Sequence, residues 1–171
     1  MSRFVVFLLS VLACAHATAQ DAALPNVVII LADDLGYGDA QCYNPDSTIP
    51  TPHLDAVAAQ GMRFTDAHSP ASLCAPTRFS MLTGNYSYRN SSAFGVWKPE
   101  ADSGIDTGGW TTSARIAKAG GYQTAFFGKW GLGPSNTSGS PIKQGFDRYY
   151  GYNCQRNAHS FYPTFLDSNE R

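Results

Sequence analysis

Residues 26–34 read NVVIILADD, a continuous apolar and β-branched run that ends in two carboxylates. Such a run predicts a strand buried on both faces, as in parallel sheets flanked by helices. Downstream, TPHLDAVAAQG (51–61) predicts a helix with Thr51 as N-cap, Pro52 at the first helical position and Gly61 as its stop. MRFTDAHS (62–69) predicts a second short strand, and PTRFSMLTG (76–84) a helix opened by Pro76 and closed near Gly84. Residues 85–110 are rich in Ser, Gly, Asn and Tyr and read as loop. TTSARIAKAGG (111–121) predicts a capped amphipathic helix and YQTAFFGKW (122–130) a strand. GLGPSNTSGSPIKQG (131–145) is a long Gly/Pro/Ser loop, and the aromatic tail reads as irregular. The order strand, helix, strand, helix, helix, strand predicts an α/β fold, a mostly parallel sheet flanked by helices. The element count is low for a closed sheet, and FLDSNER (165–171) ends without an evident final element. The expectation is therefore the N-terminal portion of a larger domain.

Composition narrows the function. At 171 residues and 43% hydrophobic content the chain can bury one ordinary core. A formal net charge of −1 and the lack of a Lys/Arg run leave no electrostatic footprint for nucleic acid. The acids are 11 Asp against 2 Glu, a bias toward caps and loops.

Residues 1–19 read as a secretory signal peptide: one basic residue, a short apolar run from Phe4 to Ala15, and the small pair Ala17 and Ala19 before the cut. The run is too short for a membrane span, which needs about 20 apolar residues. Export to a periplasm or the exterior follows, with no membrane association unless Cys14, in VLAC, is lipidated. Residues 20–171 are then the working domain. They hold Cys42, Cys74 and Cys154, an odd count that asks for a leftover thiol with a task. A Cys42–Cys154 pair and two small buried hydrophobes are both open readings.

Two stretches carry chemistry. In ADDLGYGD (32–39), Asp33 and Asp34 would lie outside the carboxyl end of the predicted strand, where open α/β sheets gather ligands. Two adjacent carboxylates before glycine-rich turns offer hard oxygen donors for calcium or magnesium; capping of the next turn is the ordinary alternative. Asp39 is read as stabilising the following turn. In SPASLCAPTRFSMLTG (69–84), Cys74 stands where a helix begins, and helix N-termini favour negative charge. Arg78 follows one turn later on the same face and adds a fixed cation. A nucleophile beside an anion-binding helix end suits attack on an anionic ester. A buried structural cysteine beside a surface arginine is the plainer alternative.

Three motifs together resemble one family. CAPTRFSMLTG (74–84) resembles the signature of the formylglycine-dependent sulfatases, GYQTAFFGKWGLG (121–133) their second signature, and NVVIILADDLGYGD (26–39) their opening metal strand. The resemblance implies an alkaline-phosphatase-like domain, here its N-terminal part. It implies that Cys74 is oxidised by a formylglycine-generating maturation enzyme to 3-oxoalanine (formylglycine), whose hydrate is nucleophile and metal ligand. One hydroxyl would attack sulfur in line and displace the alcohol; the second would then lose its proton and expel sulfate. Asp33 and Asp34 would bind the divalent metal, usually calcium; Arg78 would hold the diol, and Lys129 would bind a sulfate oxygen. Two departures stand out. Many members carry a histidine after Gly-Lys-Trp where this chain has Gly131, and the family's remaining metal ligands and second sulfate-binding Lys and His normally lie far downstream, with no match here.

Other candidates are secondary. His68 reads as packing or backbone-bonding on the strand that feeds the motif, and His53 as solvated. GYNCQRNAHSFYP (151–163) gathers Gln155, Arg156, Asn157 and His159 among aromatics and could line a sugar subsite, with His159 as a substrate contact. Asn85, Asn90 and Asn136 open N-x-Ser/Thr triplets, meaningful only in a glycosylating host. The function implied is hydrolysis of sulfate esters of glycans or aryl alcohols. The alternatives are a phosphonate monoester hydrolase or phosphodiesterase of the same superfamily, and a catalytically silent domain that only binds.

Overall fold

The computed structural model describes residues 24–90, 97–98, 101–106 and 108–169. The signal-peptide and Cys14 readings lie outside the described residues. Two units separate by contact, one ending at Leu31 and one starting at Ala32.

In the first unit, residues 24–31 form no strand. Val27, Val28, Ile29 and Ile30 are 68%, 79%, 68% and 86% exposed, so the expected doubly buried strand is corrected. The physical reason is pairing. A strand apolar on both faces is stable only with neighbours on both edges and cover on both faces. The described strands pair only with each other.

The second unit contains α1 (Pro52–Gln60), α2 (Cys74–Thr83), a 3₁₀ turn (Ser87–Arg89), α3 (Ser113–Ala119), β1 (Ala125–Lys129), β2 (Arg148–Tyr152), the single turn α4 (Gln155–Ala158) and β3 (Asp167–Ser168). Helix α1 begins and ends as the caps predict, although the Thr51 hydroxyl bonds Asp55 (3.1 Å) rather than a backbone N–H of the first turn. Helix α2 starts at Cys74, two residues before Pro76. A proline at the third helical position loses nothing, because the first four N–H groups have no intrahelical partner. Gly84 closes α2 at φ 68°, a left-handed cap whose N–H bonds the Ser80 carbonyl. In α3 the Thr112 hydroxyl accepts from the Arg115 N–H, the expected N-cap.

Two further expectations are corrected. Residues 62–69 form no strand and are exposed, since no described strand edge pairs with them. The tail is not irregular: β1 and β2 pair in parallel from Ala125↔Arg148 to Lys129↔Tyr152, and β3 adds an antiparallel edge. At Gly128↔Gly151 the strands approach so closely that a Cβ on Gly151 would lie 2.0 Å from the Gly128 carbonyl oxygen. RYYGY (148–152) therefore reads weakly as a strand yet fits this ladder, glycine being suited to close backbone approach.

The core lies between α2, α3 and the sheet. Phe79, Leu82, Ile105, Ala114, Trp130, Leu132, Phe146 and Tyr149 form one buried cluster. Phe126 meets Trp130 and Phe146 edge-on at 5.2 and 5.4 Å, and the Trp130 indole N–H reaches the Gly139 carbonyl at 2.9 Å. That bond fixes the long loop after β1, and Asp102 ties it down further by accepting from the Ser138 hydroxyl and the Gly139 N–H.

Candidate active site

The site forms at the carboxyl ends of the parallel strands, where α/β sheets place their ligands. Lys129 is the last residue of β1, and α4 begins three residues after β2 ends. Cys74 opens α2, with Arg78 one turn along.

Arg78 ties these parts together. Its side chain is 8% exposed; one terminal nitrogen donates to the Lys129 carbonyl (2.5 Å) and the other to Asp33 Oδ2 (3.3 Å). Its Nε is buried and makes no hydrogen bond. Lys129 Nζ, on a side chain 12% exposed, donates to the same Asp33 oxygen at 2.9 Å and stands 3.5 Å from His159 Nε2. Two cations thus face one carboxylate. Burial works to raise the Asp33 pKa, but the hydrogen bond and charge of Lys129, joined by Arg78, outweigh it and hold the carboxyl below its usual range. The surplus positive charge gives the cluster a preference for anions.

Cys74 is half-buried and its thiol donates to Gln155 Oε1 at 2.8 Å, across 81 residues of sequence. Gln155 is 6% exposed and is the first residue of α4. His159 follows four residues later, so this one turn presents an amide toward Cys74 and an imidazole toward Lys129. Asp34, exposed and at φ 61°, adopts the left-handed region that aspartate tolerates better than most residues.

The candidates therefore divide. Asp33, Arg78, Lys129 and His159 share one cluster of contacts, and Cys74 is linked to it through the helix it shares with Arg78 and the turn that carries His159. Asp39 accepts the Gly36 N–H (2.7 Å) and so braces the turn before it, where the sequence pointed to the turn that follows. His68 is exposed on an irregular stretch and bonds Asp66 at 2.7 Å, rather than lying on a strand. Cys42 and Cys154 are free thiols, so the pairing is not made. Gln155 as the partner of Cys74 was not legible as such; its signal is the polar cluster after Cys154 set against the bare Gly131.

The chemistry of the donors tests what the site could hold. No group of three or more His, Cys, Asp or Glu side chains placed to hold a metal occurs among the described residues. Asp33 and Asp34 alone fall short of the 6–8 oxygens calcium takes, so the described residues do not by themselves make that site. Formylglycine at residue 74 fits better: a hydroxyl there can donate to Gln155 Oε1 as the thiol does.

Comparison with known proteins identifies the family. The family model described as Sulfatase matches residues 25–167. Human arylsulfatase A is 45% identical over 147 residues, covering 84% of this chain and 28% of that protein. Mouse steryl-sulfatase is 42% identical over 136 residues, covering 74% of this chain and 22% of its own length. Among solved structures, Ps i-CgsB superposes with a TM-score of 0.72 at 27% identity, over 86% of this chain and 36% of that one. A sulfatase from the glycosaminoglycan metabolism of Bacteroides thetaiotaomicron gives 0.70 at 33% identity, over 86% and 31%. The chain thus spans less than a third of the length of human arylsulfatase A and of mouse steryl-sulfatase. With its three motifs in order and the family model matching nearly its whole described length, the chain belongs to the sulfatase family, with the alkaline-phosphatase-like fold of that family in part.

Proposed function

We propose that the protein is an exported sulfatase that hydrolyses sulfate esters of glycans or aryl alcohols. The observation that carries this reading is the convergence of Arg78 and Lys129 on Asp33, beside a helix that opens with Cys74, in a sulfatase-family chain. Residues 20–171 are, on this reading, the N-terminal part of the catalytic domain, and residues 1–19 the export signal.

Residue 74, oxidised by the maturation enzyme to formylglycine and hydrated, would supply one hydroxyl whose attack on sulfur breaks the bond to the departing alcohol, and a second whose deprotonation expels sulfate and restores the aldehyde. The remaining tasks fall to this chain's own side chains. Arg78 holds the hydrate from the next turn of α2, its position fixed by the Lys129 carbonyl. Lys129 donates to a sulfate oxygen as charge builds there in the transition state, exchanging its contact with Asp33 for one with substrate. Asp33, bonded to both cations, keeps them oriented until substrate arrives. His159 would touch the bound ester, a role supported by its 3.5 Å distance to Lys129. A divalent cation, calcium or magnesium, belongs to this reading only with ligands added to those of Asp33 and Asp34.

A glycan substrate draws support from a neighbour solved in complex with k-i-k-neocarrahexaose, TM-score 0.71. The aryl alternative draws support from the relatives' names. The test is side-by-side turnover of p-nitrophenyl sulfate, phosphate and phenylphosphonate by the full-length protein. Sulfate is expected to be preferred; a preference for phosphorus esters would move the assignment to the phosphonate hydrolases of the superfamily, and no turnover of any ester, to a binding domain.

A further inference from the structure

The β1–β2 pairing runs past the strands themselves. The Trp130 N–H bonds the Tyr152 carbonyl (3.0 Å) and the Gly131 N–H the Asn153 carbonyl (3.2 Å). This sets Gly131 directly beside the chain that turns into α4. Gly131 has φ +75°, and a Cβ on it would lie 2.8 Å from Gln155 Cγ and 2.9 Å from Gln155 Cδ. Real Cβ atoms do not approach carbon that closely, so a side chain at 131 would push the Gln155 side chain out of the position in which it meets Cys74. Gln155, buried, fills the volume and delivers Oε1 to Cys74 Sγ at 2.8 Å.

We infer that Gln155 is the positioning residue for the nucleophile, filling volume that a side chain at position 131 would otherwise claim. This rests on the proposed sulfatase reading. An amide accepts a hydrogen bond in a fixed direction and does not titrate, so Gln155 orients the side chain at 74 without taking its proton. With the hydrate in place, Oε1 accepts from one hydroxyl and fixes the rotamer, which leaves the other hydroxyl aimed at sulfur. Glycine at 131 is the condition for this: it makes room for the glutamine and allows the positive φ.

The test uses the full-length protein coexpressed with the maturation enzyme, unchanged and as Q155M, G131H and G131H/Q155A. Mass spectrometry first reads the conversion of residue 74, so that kcat is expressed per converted site. Methionine keeps the length and packing of Gln155 and removes the amide acceptor. A role in orientation predicts kcat lower by roughly ten- to a hundredfold, with KM changed less than about threefold. A packing role predicts no change. G131H is expected to lose at least as much, because the imidazole meets Gln155, and G131H/Q155A to exceed G131H by roughly fivefold or more, histidine being tolerated at positive φ. An unchanged kcat in Q155M, or a double variant no better than G131H, overturns the assignment. If residue 74 stays a thiol throughout, the formylglycine reading fails instead, and the contact is then read on the thiol. Alkylation of Cys74 by iodoacetamide several-fold faster in Q155M supports the Gln155 contact; equal rates overturn it.

Discussion

Replacing Arg78 by lysine keeps the charge and removes the fork. The guanidinium spans two acceptors, the Lys129 carbonyl at 2.5 Å and Asp33 Oδ2 at 3.3 Å, from a side chain that is 8% exposed. A single ammonium on a differently shaped stem serves one of them. Losing the bond to the Lys129 carbonyl leaves a shielded acceptor without its donor, at a cost of about 1–3 kcal/mol. The Asp33 leg is worth less, since that carboxylate is 38% exposed and solvent screens it; about 0.2–1 kcal/mol is appropriate. Arg78→Lys should therefore lower stability by about 1–4 kcal/mol and move the urea midpoint down by roughly 1 M. Because the same fork sets where the Lys129 backbone sits beside α2, kcat on p-nitrophenyl sulfate should fall by roughly a hundredfold. A urea midpoint within about 0.2 M of the unchanged protein, together with kcat within about twofold, would refute the claim that Arg78 organises the site.

Other perturbations test separate parts. Lys129→Met should lower kcat by roughly 10²–10³-fold while formylglycine still forms, read by initial rates and mass spectrometry; a loss confined to KM would place Lys129 in ground-state binding alone. Asp147 accepts from Lys118 Nζ (2.5 Å) and from the Thr124 N–H and hydroxyl (both 3.0 Å), and these bonds, that of Lys118 first, hold its pKa down to about 2. A depressed carboxyl stabilises the fold fully above its unfolded value of about 3.9, and that contribution is lost as pH falls toward the folded value. Asp147→Asn should thus lower the thermal midpoint at neutral pH and flatten its fall between about pH 4 and pH 2; parallel curves would contradict the pairing. Gly151→Ala would set a Cβ 2.0 Å from the Gly128 carbonyl oxygen, so a loss of about 2 kcal/mol or more by urea titration is expected, and an unchanged midpoint would reject the close β1–β2 approach.

What the sequence could and could not convey follows from the range of the interactions. Helices α1 and α3 and strand β1 are written locally, in Thr51-Pro52, in Thr112 and in the apolar run before Lys129, and they stand where those signals put them. The run at 26–31 carries an equally local signal, but burial of a two-faced strand is decided by partners elsewhere, and its residues are exposed. Strand β2 was hidden because glycine at 151 argues against a strand until the Gly128 carbonyl is seen beside it. The cluster around Asp33 was half legible: each member sits in a motif, yet that Lys129 shares an oxygen with Arg78 depends on a contact across 96 residues. Gln155 was seen only as one polar residue among several. Gly131 could be read directly, but the contact of Gln155 with Cys74 also needs the β1–β2 register, which no local pattern encodes.

The central claim is that residue 74 works as formylglycine. Mass spectrometry of the peptide containing it, from full-length protein coexpressed with the maturation enzyme, tests this directly. The mass of the aldehyde and its hydrate is expected, with sulfate-ester turnover rising in proportion to conversion and absent in Cys74→Ala. Unmodified cysteine in protein that still turns over sulfate esters would contradict it.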